Sequence, residues 1–318
     1  MKAAVRSKYG PPEMLEIKVT GRPTPKDNEI LVRVHAATVN RTDCGGLSGK
    51  PYIYRFFCGW PNPRLASTGT DFAGMVEEVG KNVTTFKPGD RVWGFNDHIL
   101  GSHAQYITLS QKDNVLAIPG NISYEQAAAS AEGAHYAINF INKTALKAGD
   151  NVMVYGATGA IGSAMVQLLK YYGANVTAVC RAGYPKVINT LGADRVIETD
   201  DLGVEEEGSY HFIFDAVGKS SFRACKPLLQ KGGVYISSEL GPGNENLYLP
   251  LTTCFADKRV IFPFPTDINA SLKLIGNLLE NKQFKPVIDR RYPLEQIQEA
   301  FYYVNSGLKT GNVILTMD

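Results

Sequence analysis

The sequence predicts an α/β protein in which a doubly wound parallel sheet follows an antiparallel β domain. Three observations carry the prediction. Residues 152–162 read Val-Met-Val-Tyr-Gly-Ala-Thr-Gly-Ala-Ile-Gly, an apolar β-type run that stops at a glycine cluster and opens into the helical pattern Ser-Ala-Met-Val-Gln-Leu-Leu. Strand-like and helix-like runs then alternate to about residue 262, as a parallel sheet with crossover helices requires. Residues 1 to about 120 have another texture, short β-patterned runs broken by Gly and Pro with no helix-rich core.

In chain order, Ala3–Arg6, Glu29–Val39, Gly74–Val79, Arg91–Phe95 and Ala104–Leu109 fit antiparallel strands, with turn chemistry at Pro25–Asn28 and Lys87–Asp90. Ser123 and Gln126 form a capping box that opens a long helix expected to reach Asn142. Residues 151–180 make a βαβ unit of the usual ~30 residues, its second strand being Asn175–Cys180. His211–Gly218 and Gly232–Ser238 read as two further buried strands, with a helix-length segment from Ser220 to Leu229 between them. Asn269–Asn281 and Leu294–Asn305 are amphipathic helices, and Val313–Thr316 is a closing strand. The expected division is 1–122 for the β domain, 123–262 for the parallel α/β domain and 263–318 for a segment returning to the first.

At 318 residues the chain has room for two domains with their own cores. Its 44% apolar and 20% charged residues are ordinary for a globular protein. A net charge of +2 with no concentrated basic face argues against nucleic acid and membrane surfaces as partners. No apolar run approaches the ~20 residues of a membrane span, and the first residues lack the apolar stretch of a signal peptide, so a cytoplasmic location is expected. Cys44, Cys58, Cys180, Cys225 and Cys254 are scattered without a Cys-x-x-Cys pair, which points to reduced thiols, with Cys180 and Cys225 as packing residues.

The turn at Gly156, Gly159 and Gly162 is where binding chemistry is expected. The first turn of a helix carries unpaired N–H groups and the positive end of its dipole, so a strand-to-helix glycine turn can hold a pyrophosphate without a basic side chain. The usual G-x-G-x-x-G is met in part, since Ala157 fills one glycine position. An NAD site normally places an acid about twenty residues further on, for the ribose hydroxyls. Here the residue is Arg181, Lys186 follows, and no acid lies between Val176 and Leu191, a charge pattern suited to the 2′-phosphate of NADP(H).

These motifs resemble a family. Gly69–Gly80 (Gly-Thr-Asp-Phe-Ala-Gly-Met-Val-Glu-Glu-Val-Gly), Phe86–Gly94, Gly156–Gly162, Leu191–Asp194, Pro293–Ala300 and Gly311–Leu315 are similar, in order and over nearly the whole chain, to the medium-chain dehydrogenase/reductases. The likeness is to their zinc-independent, quinone-oxidoreductase-like (zeta-crystallin-like) branch. The resemblance implies a GroES-like antiparallel β domain with a Rossmann doubly wound parallel sheet, NADP(H) as cofactor and a homodimer. The implied reaction is hydride transfer to a quinone or an α,β-unsaturated carbonyl. Where the alcohol-dehydrogenase branch holds zinc through a Val-Cys-x-x-Asp and a Gly-His-Glu segment, this chain has Val39-Asn40-Arg41-Thr42-Asp43 and Gly69-Thr70-Asp71, and no Cys between Cys58 and Cys180. His35, His98, His103, His135 and His211 show no ligand spacing either, so no metal is expected.

Carried over residue by residue, the resemblance implies catalytic roles for Asn40, Tyr52 and Tyr54. The Asn40 amide would orient the nicotinamide ribose or the substrate oxygen, its alternative being a turn cap after Val39. Either tyrosine would donate a hydrogen bond or proton, their alternative being packing in an aromatic lid with Phe56, Phe57 and Trp60. Gly156, Thr158, Gly159, Ala160, Ile161 and Gly162 would face the phosphates. Val217, Gly218 and Ser237 end later strands at the ligand edge, Phe262 and Phe264 match a loop against the nicotinamide, and Lys309 falls where the last segment approaches the cofactor. Asn312 departs from the lysine usual there. An enoyl-thioester reductase, or an NADPH-binding scaffold with little turnover, are the alternative functions.

Overall fold

The computed structural model describes residues 1–317 apart from 51, 53, 54, 57, 58, 65, 99, 184, 200–206, 265 and 266, and gives the backbone alone for 185 and 186. The chain divides into two compact units, residues 1–132 with 268–318, and residues 133–267.

The first unit opens with an antiparallel ribbon of β1 (Lys2–Val5) and β2 (Glu16–Val19). β3 (Glu29–Val39) follows and is the spine of the unit's main sheet; Ile30, Leu31, Val32, Val34 and Ala37 in it are fully buried. A helix, α1 (Arg41–Ser48), springs directly from its end. β4 (Asp71–Val79), β5 (Arg91–Phe95), β6 (Tyr106–Ser110), β7 (Val115–Ala117) and α2 (Tyr124–Ala129) complete this half.

The second unit takes in α3 (Glu132–Asn142, from Gly133 on), β8 (Asn151–Tyr155), α4 (Ala160–Tyr171), β9 (Asn175–Cys180), α5 (Pro185–Thr190) and β10 (Arg195–Glu198). β11 (Tyr210–Asp215), α6 (Phe222–Cys225), β12 (Leu229–Ser237), α7 (Glu245–Thr252) and β13 (Arg259–Ile261) follow. Its six strands are all parallel, in the order β10-β9-β8-β11-β12-β13. Successive strands move outward in one direction from β8 and then in the other from β11, which leaves a switch point at the carboxyl ends of β8 and β11. Met153, Ile213 and Tyr235 from the three central strands are fully buried, as strands covered on both faces must be.

The chain then returns. α8 (Ile268–Glu280), β14 (Ile288–Pro293), α9 (Ile297–Asn305) and β15 (Asn312–Thr316) belong to the first unit, and β15 pairs antiparallel with β3, Val313 opposite Val39. The main sheet there runs β14-β15-β3-β4-β5-β7, with β6 also on β3. Phe301 and Val304 of α9 join Val32, Val34, Phe72 and Leu315 in its core.

Two expectations need correction. The helix opened by the Ser123 capping box does not run through to Asn142. The Ser130 hydroxyl donates to the Gln126 carbonyl at 2.7 Å, and the N–H groups of Ser130 and Ala131 reach back only three residues, to Ala127 and Ala128. The tightened turn ends α2, and a new helix starts at Glu132. The segment 220–229 holds one four-residue helix rather than a crossover of full length. The cause is Asp215, whose carboxylate draws in the N–H groups of Val217, Gly218 and Ser220 and keeps the chain in a loop until Ser221 caps α6.

Candidate functional site

In the second unit, β8 runs out at Tyr155 and the chain turns through Gly156, Ala157, Thr158 and Gly159 into α4. Gly156 sits at φ +72, where a Cβ would meet Val217 Cγ1 at 2.4 Å. A Cβ on Gly162 would lie 2.2 Å from the Gly156 carbonyl, so the first helical turn packs against the strand end only without a side chain there. Gly159 differs: a Cβ there would have its nearest neighbour at 3.5 Å, ordinary contact. Gly159 is the N-cap of α4, no side chain caps the helix, and its first turn holds no acid. Helix ends are normally satisfied by a cap. This one keeps its amides and its positive dipole end for an external anion, and the glycine-lined turn fits a pyrophosphate.

The neighbouring strand ends supply the rest. Asp215 is buried at the end of β11, where the Ser220 hydroxyl donates to it at 2.7 Å. The loop it holds sets the Val217 side chain against Gly156. Gly218 lies at φ +65, and Ser237 is buried, accepting from the Glu239 N–H at 3.2 Å. Phe262 and Phe264 have ring centroids 4.8 Å apart and line an open apolar depression of about 390 Å³ with Leu247, Leu251 and Cys254.

Arg181 follows β9 and is exposed. Reading along the chain finds no acid near it, but the sheet brings one. Glu198 ends β10 in register with Cys180, and its carboxylate accepts from the Gly183 N–H at 3.2 Å. The signal lay in the neighbouring strand, seventeen residues beyond Arg181 in the chain. Lys186 is the second residue of α5, and its side chain lies outside the described residues.

In the first unit, Asn40 directly follows β3 and caps α1. Its Oδ1 accepts from the Asp43 N–H at 3.0 Å, while Asp43 Oδ2 accepts from the Asn40 N–H at 3.0 Å. The amide nitrogen donates to Thr70 Oγ1 at 3.2 Å and to Glu132 Oε2. Thr70 donates to that same oxygen at 3.0 Å, and Thr42 Oγ1 lies 2.7 Å from Glu132 Oε1. The turn-cap alternative for Asn40 is therefore realised, and its donors are committed inside the protein rather than presented to a ligand. Glu132 was missed because it lies 92 residues from Asn40 and follows the helix break described above.

The cluster is dense in carboxyl groups. Glu132, Asp43 and Asp71 are all buried. Burial, and then the charges of Asp43 and Asp71, hold the Glu132 carboxyl well above the usual carboxylate range. Asp43 is raised by burial and by Asp71. Asp71 is raised to about 7 by burial, against hydrogen bonds from the Thr38 N–H at 2.7 Å and the Thr38 hydroxyl at 2.5 Å. Burial pushes Cys44 up to about 12, so it is no thiolate nucleophile at neutral pH. Lys309 is lowered to about 8 by burial, with the charge of Glu132 opposing the shift, and its Nζ donates to the Gly311 carbonyl at 2.7 Å. Asn312 donates to the Val287 carbonyl at 3.0 Å, a strand-end contact. His103 is held neutral, lowered to about 4 by burial, between the Thr68 hydroxyl at 2.7 Å and the Thr38 carbonyl at 2.9 Å.

The structure does not bring Tyr52 to Asn40. Tyr52 is 62% exposed, and its ring faces the guanidinium of Arg55, which also lies over Tyr9 and Trp60. Tyr54 lies outside the described residues. Among the described residues no group of three or more His, Cys, Asp or Glu is placed to hold a metal ion. The two ligand positions of the zinc branch carry an amide and a hydroxyl, hydrogen-bonded to one another and to a single carboxyl, and this donor set does not fit tetrahedral zinc.

Residues 26–120 match the family described as alcohol dehydrogenase GroES-like domain, and residues 191–315 match the family described as zinc-binding dehydrogenase. The chain is 29% identical over 346 residues to a quinone oxidoreductase of Homo sapiens, covering 100% of this chain and 98% of that protein. It is also 29% identical over 332 residues to the chloroplastic NADPH-dependent alkenal/one oxidoreductase of Arabidopsis thaliana, covering 99% of this chain and 79% of that one. Among solved structures, the quinone oxidoreductase of Coxiella burnetii matches with a TM-score of 0.86 at 23% identity, over 100% of this chain and 99% of the other, a likeness of fold.

Proposed function

We propose that this chain, which belongs to the medium-chain dehydrogenase/reductases and has quinone and alkenal oxidoreductases among its relatives, reduces quinones or α,β-unsaturated carbonyls with NADPH and without zinc. At the coarser level it is an oxidoreductase with a nicotinamide cofactor. The single observation that carries the finer reading is the uncapped, acid-free first turn of α4 behind Gly156 and Gly162, with Arg181 at the end of the next strand.

When bound, NADPH supplies a hydride from C4 of its dihydronicotinamide. The amides of Ala160, Ile161 and Gly162 would hold the pyrophosphate, and Arg181 the 2′-phosphate. The acceptor class follows from the first unit. A metal that could polarise a simple alcohol or carbonyl has no ligands at Asn40 and Thr70. In a conjugated acceptor, charge moves from the attacked carbon to oxygen, where a hydrogen-bond donor suffices, and the partly exposed Thr42 hydroxyl is such a donor.

A homodimer formed through the second unit is part of this proposal. β13 is an edge strand, and beside it α7 and the loop after it expose Leu251 at 77% and Phe255 at 101%. Apolar surface of this kind next to an unpaired strand edge suits a second copy. The free cysteines Cys44, Cys180, Cys225 and Cys254 support a reducing compartment, the cytoplasm on our reading. No helix among the described residues is long and apolar enough to cross a membrane.

The test is steady-state NADPH oxidation with a quinone, an alkenal and an enoyl thioester, before and after exhaustive chelation. Turnover of the first two, indifferent to chelation, is expected. Tight NADPH binding with no turnover, or activity that depends on a restored metal, would overturn the reading.

A further inference from the structure

Glu132 has no task in the reading above. Burying a carboxyl is costly unless every oxygen is satisfied or a proton stays on it. Glu132 is 7% exposed and its two oxygens differ. Oε2 is enclosed by Asn40 and Thr70, themselves buried. Oε1 meets Thr42 Oγ1 at 2.7 Å, and Thr42 keeps partial exposure. The hydrogen-bonded route from the carboxyl toward the surface therefore runs through the Thr42 hydroxyl.

We propose that Glu132 is the proton store of the reduction and that Thr42 passes its proton to the substrate oxygen. The proposal rests on the reductase reading. In the structure the Thr42 hydroxyl donates to Oε1 at 2.7 Å; protonation of Glu132 on Oε1 reverses that bond, so that Oε1–H donates to Thr42 and the hydroxyl proton of Thr42 turns onward. As the substrate oxygen gains charge, the Thr42 O–H bond breaks toward it while Oγ takes the proton from Oε1. Thr42 ends unchanged, Glu132 is left a carboxylate, and a solvent proton restores it. The electron pair enters with the coenzyme, so these residues move a proton and nothing else. Glu132 faces Asp43 and Cys44 on α1, Asp71 on β4 and Lys309 before β15, and the charge of Arg41 acts on both Cys44 and Lys309. Burial and the two aspartates favour the protonated form and prevail, while the hydrogen bonds from Thr42 and Thr70 and the charge of Lys309 oppose it.

Glu132→Gln keeps the size and the hydrogen-bonding capacity but releases no acidic proton. Infrared spectra of the coenzyme-free protein, wild type minus E132Q, should show a protonated-carboxyl band that titrates with pH. In turnover of an alkenal, E132Q should lose on the order of 100-fold in kcat, the scale of general-acid catalysis. KM for NADPH and Tm should hold, and one ionisation should vanish from the pH profile. Thr42→Val should lose a similar factor, with the double variant no worse than either single one; it also serves as the test should E132Q not fold. A wild type that turns over beside an E132Q of equal kcat and pH profile, or a difference spectrum without that band, overturns the proposal alone. A wild type inactive with every acceptor overturns the reductase reading and this proposal with it.

Discussion

Arg181 and Glu198 place opposite charges around one short loop, and the proposed coenzyme choice turns on which of them prevails. A guanidinium gives the 2′-phosphate a charge-assisted bond worth about 1.5–3 kcal/mol, so Arg181→Ala should weaken NADPH by roughly 10-fold to 100-fold and leave NADH nearly unchanged. Titration of both coenzymes against both proteins measures this, and equal losses would refute the assignment. Legibility at this scale follows sequence distance. Asn40 could be read as a cap because its partner Asp43 is three residues on. Glu132 and Glu198 were invisible because their partners come from elements that only the fold brings near.

The strand-turn-helix element separates two demands on glycine. Gly162→Ala drives a Cβ to 2.2 Å from the Gly156 carbonyl, and overpacking of this kind costs about 1–3 kcal/mol, so Tm should fall together with coenzyme affinity. Gly159→Ala meets only ordinary contact in the protein, and should leave Tm alone while lowering affinity, because its methyl covers an amide-lined helix end. Calorimetry beside coenzyme titration distinguishes the two; matching effects on Tm would show the turn to be structural. The long β-branched runs were legible: Glu29–Val39 and Asn175–Cys180 form strands with those very ends. Strands of three or four residues such as Arg259–Ile261 and Arg195–Glu198 hold too few periods to show alternation, and β14, Ile-Asp-Arg-Arg-Tyr-Pro, carries too little apolar pattern to be recognised. The break after Ala129 escaped because alanines favour continuing a helix, and a serine back-bond overrode them.

For the whole molecule, stability should depend on pH in two opposed ways. His103 and His135, both lowered to about 4 by burial, bind protons in the unfolded chain that the folded one refuses, so stability rises as pH climbs from about 4 to 6.5. Asp71, raised to about 7, with Asp43 and Glu132 also raised, keeps protons that the unfolded chain has lost, so its contribution falls as pH climbs through about 7. The two trends offset one another below 6.5. Asp71→Asn removes the part of the decline that Asp71 supplies between about pH 4 and 7, so stability should climb more steeply over that range in denaturant titrations at a series of pH values; an unchanged slope would reject the assignment. The proposed homodimer belongs to this scale as well. Leu251→Asp sets a charge on the exposed apolar face beside β13 and should yield monomers in sedimentation, where an unaltered dimer would exclude that face.

The pairing of β15 with β3 has a consequence for how the polypeptide is made. A ribosome releases residue 39 long before residue 313, so the first sheet lacks a central neighbour while the parallel sheet, whose strands all lie within residues 151–261, can already close. The nascent chain therefore carries an open hydrogen-bonding edge flanked by apolar side chains until residues 312–316 have emerged, an interval in which chaperones have something to hold.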